Sequence, residues 1–185
     1  ATDDFYEYTL KPSRFNGAIM VANKGQIVFE KYNGIQNHWN KLPLDTASSF
    51  HLASVSKTFT GMAVLKLWEE GKLGLNDEVS TYLAGFPFQG VTIKTLLNHR
   101  SGLPNYVHFM ERLGWDRKKI LTNEDILQFM IDNKRKLQVA RPDRGFSYSN
   151  TNYALLALII ERVSGKSYSN YLQETFFLPL QMNHT

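Results

Sequence analysis

The sequence predicts an α+β fold in which one β-hairpin near the front is followed by helices to the end. Three observations predict it. Two short apolar strands with a glycine-containing turn lie between residues 17 and 32, apolar residues after residue 50 recur at helical spacing, and no further strand can be read there. A hairpin alone is marginal in water, so either further sequence completes the sheet or the hairpin packs on helices by itself.

Residues 18–21 and 27–29 are the strands, joined by Asn23-Lys24-Gly25-Gln26, whose glycine accepts a positive φ. Asn33-Gly34 closes the hairpin. A polar loop through Asn40-Lys41-Leu42-Pro43 leads to a helix that begins at or just before Ser54 and stops at Gly71, placed as a C′ glycine. Helical signals follow at 75–83, at 92–99 with Thr92 as N-cap, and at 123–133, where Thr122 and Asp125 make a weaker capping box. A long helix runs from near Asn150 to before Gly165, and a short one after Ser167 ends near Phe177 and Pro179. There is no repeat, low-complexity tract or linker. The chain divides into hairpin and lead-in (1–50), first long helix (51–71), helical region (72–145) and closing helices (146–185).

At 185 residues, 43% of them hydrophobic, the chain holds one sizeable core. The net charge of +4 is modest. Arg117-Lys118-Lys119 and Lys134-Arg135-Lys136 lack interleaved aromatics and read as solvated charge, which sets nucleic acid aside. The absence of cysteine excludes disulfides, thiol catalysis and cysteine metal sites. No apolar run approaches the roughly 18 residues of a membrane span, and Ala1 in place of an initiator methionine fits a processed or an artificially cut start.

The chemistry centres on Ser54-Val55-Ser56-Lys57. Between residues 52 and 65 Lys57 is the only ionisable side chain, in a segment whose apolar residues ring the helix and imply burial. Burial favours the neutral amine, a base, and the positive end of the helix disfavours the ammonium further. Three residues apart on a helix, Ser54 and Lys57 share a face, which is how serine becomes a nucleophile without histidine. The same residues also fit Ser54 as a plain N-cap with Lys57 reaching the surface.

A second uncharged stretch runs from 145 to 160, and its second half reads as a buried helix. At its entrance stand Tyr148 and Asn150, a hydroxyl able to pass protons and a carboxamide able to bond a substrate amide. An asparagine N-cap preceded by a packed tyrosine fits equally. Other chemistries lack their signatures. There is no G-x-S-x-G elbow; Gly165-Lys166-Ser167 mimics the end of a phosphate loop, but Ile160 occupies its first glycine position; and the five histidines show no metal-ligand spacing, so neither metal nor cofactor is expected.

Together the two segments resemble the serine β-lactamase and penicillin-binding protein superfamily, in its class C-like branch, which carries S-x-x-K followed by Y-x-N. The likeness extends to Phe50-His51-Leu52-Ala53 before the serine, to Lys72-Leu73-Gly74-Leu75-Asn76-Asp77, to Leu96-Leu97-Asn98-His99-Arg100-Ser101-Gly102-Leu103-Pro104, and to Tyr148 through Tyr153, and covers residues 17–185. It implies a β-lactamase/transpeptidase-like fold and a serine hydrolase that forms an acyl-enzyme on a β-lactam, a D-amino-acid peptide or a small ester. By the same resemblance Ser54 is the nucleophile, Lys57 its proton acceptor, Tyr148 a partner base or proton shuttle and Asn150 a contact to the substrate amide. The backbone N–H of Ser54 supplies half of an oxyanion hole. The family's third motif, a Lys-Thr-Gly or His-x-Gly triplet, has no match after Tyr153. The expectation is therefore the N-terminal part of one catalytic domain, with the missing part or a partner chain completing the sheet, outside the cytoplasm of a bacterium. The competing expectation is a binding or scaffolding relative that keeps the fold without turnover.

Overall fold

Lys24 and Gly25, at φ of 50° and 79°, form the tip of the hairpin in the computed structural model, which describes residues 2–185. Two consecutive positive φ values make a type I′ turn, whose twist matches that of the strands it joins. β1 (Gly17–Asn23) and β2 (Gln26–Asn33) pair antiparallel from Asn23↔Gln26 to Gly17↔Asn33, with an irregularity between Val21 and Ala22. Ahead of them α1 (Thr2–Phe5) continues as a π-helical turn, Tyr6–Leu10. It brings the buried Tyr6 ring edge-on to Phe29, centroids 6.0 Å apart, while the Tyr6 hydroxyl donates to Asn33 Oδ1 at 3.3 Å. Where the sequence shows only a polar loop, β3 (Ile35–Asn37) and β4 (Leu42–Pro43) form a second small sheet. Strands of two and three residues are too short to display alternation. These elements, residues up to His51 with Asn183–Thr185, are one compact unit, and Leu52–Met182 is the other.

In the second unit a 3₁₀ turn, Ala53–Val55, leads into α2 (Ser56–Glu69), so the regular helix starts two residues after Ser54. Its end is as expected. Gly71, at φ 69°, donates its N–H to the Trp68 carbonyl and Lys72 donates to the Leu67 carbonyl, both at 2.9 Å, the two bonds of a Schellman motif. The helix expected at 75–83 is instead a set of turns with one 3₁₀ turn, Val79–Thr81. Its backbone bonds run sideways, from Val79 N–H to the Val91 carbonyl and from Ile93 N–H to the Asp77 carbonyl, and so are not available along a helix. α3 (Ile93–Leu97) starts at a Thr92–Thr95 capping box and α5 (Asn123–Asp132) at the Thr122–Asp125 box. α4 (Tyr106–Arg112) adds to the expected helices, and its N-cap Asn105 makes no capping bond. α6 (Asn150–Ser164) ends at Gly165, φ 69°, and α7 (Tyr168–Leu172), capped by Ser167, continues as a π-helical turn, Gln173–Phe177.

α6 is the axis of this unit. Every residue from Leu155 through Leu156, Ala157, Leu158 and Ile159 to Ile160 is buried, and α2, α3, α4, α5 and α7 all pack against the helix. Each leucine or isoleucine side chain of this run contributes about 1.5–3 kcal/mol on leaving water. α2 meets the core with the buried Ala63, Val64 and Leu67 and the partly buried Phe59. Met62 at 51% and Trp68 at 50% exposed lie open, with Leu65 also at the surface. The all-round burial inferred from sequence is thus incorrect for α2, and Lys57 is half-buried instead of enclosed. One face packs on α6, Phe59 and Thr60 reach Phe177 and Tyr168, and the side that carries Met62 and Trp68 lies open.

The Thr122 box offers a local stability test. Thr122 Oγ1 accepts the Asp125 N–H at 3.2 Å, and the Asp125 carboxylate accepts the Thr122 hydroxyl at 2.5 Å and the Thr122 N–H at 2.9 Å; the bonds to the carboxylate, the hydroxyl first, hold the Asp125 carboxyl below its ordinary value. Thr122→Ala is expected to cost about 1 kcal/mol, read as a lowered urea midpoint with an unchanged slope.

Candidate active site

Ser54 lies in the 3₁₀ turn that precedes α2, which presents its side chain to solvent one turn ahead of Lys57. The preceding residue, Ala53, sits at φ 47°, a left-handed conformation that costs alanine energy and that marks functional turns. Lys57 Nζ donates to Ser54 Oγ at 3.3 Å, and the Tyr148 hydroxyl lies 2.7 Å from the same oxygen. The lysine ammonium also stands 5.1 Å from the centre of the Tyr148 ring and 5.7 Å from that of Tyr153. Three of the four site residues expected from sequence therefore meet at one oxygen.

The electrostatics follow from that geometry. Hydrogen bonding to Lys57, then to Ser54, together with the lysine charge, holds the Tyr148 phenol below its ordinary value of 10.0, while partial burial opposes the shift. Because Ser54 Oγ accepts from Lys57, its own proton is free to point at the Tyr148 oxygen. The structure leaves Lys57 half-buried, with its Nζ turned to Ser54 Oγ as a donor.

Asn150 is the first residue of α6, two beyond Tyr148. The N-cap of that helix is Ser149, so the asparagine-cap alternative is replaced by another arrangement. Asn150 N–H donates to Asn105 Oδ1 at 3.3 Å, Tyr106 N–H to Thr151 Oγ1 at 2.8 Å, and Thr151 Oγ1 to the Pro104 carbonyl at 2.7 Å. The loop before α4 thus caps α6 from outside.

Sequence reasoning assigned no role to His99, quoted only within a motif. The structure places it behind the site. The ring is buried and lies 4.5 Å from Tyr148 and 5.1 Å from Tyr153, centroid to centroid. Its Nδ1 accepts the Ser149 N–H at 3.2 Å and faces Asn152 Nδ2 at 3.2 Å, and the Asn152 carbonyl oxygen is occupied by the Ser101 hydroxyl at 2.6 Å. The sequence carries no local signal for this place, since Asn98, Arg100 and Ser101 flank the histidine and its Ser149 partner lies 50 residues away. Around it the loop 99–104 is laced to 140–147. The Ala140 N–H donates to the Gly102 carbonyl at 3.0 Å and the Ser147 N–H to the His99 carbonyl at 2.8 Å, while Arg100 Nε pairs with Asp143 Oδ1 at 2.6 Å. Gly102 sits at φ 75°, where a Cβ would lie 2.1 Å from the Ala140 carbonyl oxygen, so glycine is required at this crossing.

Among the described residues no group of three or more His, Cys, Asp or Glu side chains is placed to hold a metal ion, and no helix is long and apolar enough to cross a membrane.

A family model described as Beta-lactamase matches residues 7–185. Penicillin-binding protein 4* of Bacillus subtilis is 45% identical over 93% of this chain. Among solved structures, FmtA from Staphylococcus aureus superposes with a TM-score of 0.82 at 27% identity over 98% of this chain, and D-amino acid amidase from Ochrobactrum anthropi with 0.79 at 25% identity, also over 98%. The chain spans 38% of the length of the Bacillus relative and about half of each of the two solved chains (49% and 50%). The fold, with its small antiparallel hairpin and helices gathered on α6, agrees with the family match, and the chain belongs to the β-lactamase and penicillin-binding protein superfamily of serine hydrolases.

Proposed function

We propose that this chain carries the acylating half of a serine hydrolase active site, acting on a β-lactam, a D-amino-acid peptide or a small ester. The observation that carries this reading is the convergence of Lys57 Nζ and the Tyr148 hydroxyl on Ser54 Oγ. In it Ser54 Oγ attacks the carbonyl carbon and passes its proton to the Tyr148 oxygen as the C–O bond forms. Lys57 favours the phenolate that receives the proton and keeps it beside the serine. As the tetrahedral adduct collapses, the bond to the leaving nitrogen or oxygen breaks, and that atom takes the proton from Tyr148. Water then repeats the sequence on the acyl-enzyme, giving its proton to Tyr148 and restoring Ser54. The first proton acceptor is thus Tyr148, with Lys57 as its electrostatic partner, because the lysine donates to Ser54 Oγ and the tyrosine is the closer group. The Ser54 N–H serves as one oxyanion donor, and Asn150 bonds the substrate amide.

The amide class is favoured by the likeness to D-amino acid amidase. The reading includes the chain as the N-terminal part of one catalytic domain, which the length of the relatives and the open apolar side of α2 support. The test is intact-mass analysis of the natural-length protein before and after exposure to a penicillin, a D-amino-acid amide or an activated ester, with the modified peptide mapped after digestion. An acyl adduct on the peptide containing Ser54 is expected. An unmodified protein with all three probes, or an adduct elsewhere, would favour a binding relative instead.

A further inference from the structure

The geometry points to His99 as a positioning residue for the acylation step: its ring supports the Tyr148 phenol at Ser54, and its Nδ1 lone pair fixes the turn that carries Tyr148 and Asn150. The inference rests on the serine-hydrolase reading and adds to it a residue that touches no substrate.

Three observations support it. First, the imidazole is buried and lies 4.5 Å from the Tyr148 ring at 36°, on a tyrosine that is itself 44% exposed. An exposed phenol hinged on one turn needs a rigid neighbour to hold its oxygen at 2.7 Å from Ser54 Oγ. Second, Nδ1 faces two donors, the Ser149 N–H and the Asn152 amide, the latter oriented because its oxygen is taken by the Ser101 hydroxyl. A nitrogen that accepts carries no proton, so the ring is the neutral Nε2–H tautomer. Burial, and after it the Lys57 charge, favour this neutral form. Third, His99 stands at φ 55°, where a non-glycine residue is uncommon. The strain is held by bonds on both sides, His99 N–H to the Leu96 carbonyl at 3.2 Å and Ser147 N–H to the His99 carbonyl at 2.8 Å.

The anchoring and supporting roles can be separated. Asparagine tolerates the left-handed conformation and places its Oδ1 near the position of Nδ1, so His99→Asn keeps the anchor and removes the ring. His99→Ala removes both. In the natural-length protein, His99→Ala is expected to lower both thermal stability and kcat. His99→Asn should recover the stability but not the rate, with kcat still down about 10- to 100-fold and KM within about threefold of wild type. A purely structural histidine would behave otherwise, its rate returning together with stability. A second readout needs no turnover. With 3-fluorotyrosine incorporated, the Tyr148 fluorine resonance, identified by its loss in Tyr148→Phe, should titrate at higher pH in His99→Asn, because a phenol released from Lys57 and Ser54 loses the bonds that hold its pKa down. A folded His99→Asn protein with wild-type kcat, or with an unmoved Tyr148 titration, overturns the inference. Absence of any Ser54 adduct in the wild type overturns the hydrolase reading instead, and the fluorine titration then still decides whether His99 holds Tyr148.

Discussion

Ser54→Ala in the natural-length protein is expected to abolish adduct formation with the reactive probe, a loss on the order of 10⁴-fold or more in acylation rate. The size follows from the place of Ser54 in the site. Lys57 and Tyr148 converge on its Oγ alone, and once that oxygen is removed neither group has a nucleophile to activate. The fold should be indifferent to the change. Ser54 is exposed in a 3₁₀ turn, so alanine leaves no cavity and no buried polar group without a partner, and the thermal midpoint is expected within a few degrees of wild type. Tyr148 supplies an internal check, since one of the two hydrogen bonds that hold its phenol down comes from Ser54. Its titration should therefore move up in Ser54→Ala, although less than on loss of the lysine. Ser56→Ala, two residues on, is the control and should acylate normally. If Ser54→Ala still forms the adduct, the nucleophile is another residue and the proposed site is wrong.

How far the sequence alone reached depends on the range over which each signal acts. Local chemistry was legible. Lys24-Gly25, Gly71, Gly165 and the Thr122–Asp125 box each specify a turn or cap through residues a few positions apart, and each is found. So was the S-x-x-K segment, whose Ser54 and Lys57 meet because they lie one helical turn apart. The pairing of Ser54 with Tyr148, across 94 residues, has no local signal and came from the resemblance between motifs. Helix 75–83 was misread because apolar spacing alone does not show that its backbone donors and acceptors are taken by residues 91–93. The burial of α2 was over-read for a related reason. Apolar residues around the whole circumference state what a helix tolerates on each side, whereas Ala63, Val64 and Leu67 are enclosed and Met62 and Trp68 are open because only α6 and its neighbours are there to cover it. His99 was invisible as a site residue because its role is defined by a ring stack and a lone pair, both made with residues about 50 positions away.

Lys57→Met is the substitution that separates the two proton roles, and it is expected to slow acylation by about 10²–10⁴-fold at neutral pH. Methionine retains most of the aliphatic length, and Lys57 is half-buried at the edge of the packing, so stability should change little. What disappears is the ammonium, the first cause of the lowered Tyr148 pKa through its hydrogen bond and a further one through its charge. The sign is fixed by the chemistry of a phenol. A lowered pKa means that the phenolate, the form able to accept the Ser54 proton, is reached as pH rises through a value below 10.0. In wild type the acylation rate should therefore climb with pH through that lowered midpoint and level off above it. In Lys57→Met the climb should move to higher pH, toward the ordinary phenol value, so that the variant recovers part of its deficit in alkaline buffer. Tyr148→Phe should lose this limb altogether. If lysine itself were the base, Lys57→Met would show no alkaline recovery and Tyr148→Phe would keep the limb. A stopped-flow pH profile of the three proteins, each with confirmed folding across the range, distinguishes the two mechanisms. Recovery of Lys57→Met at high pH places the proton on tyrosine; a flat, dead profile assigns it to the amine.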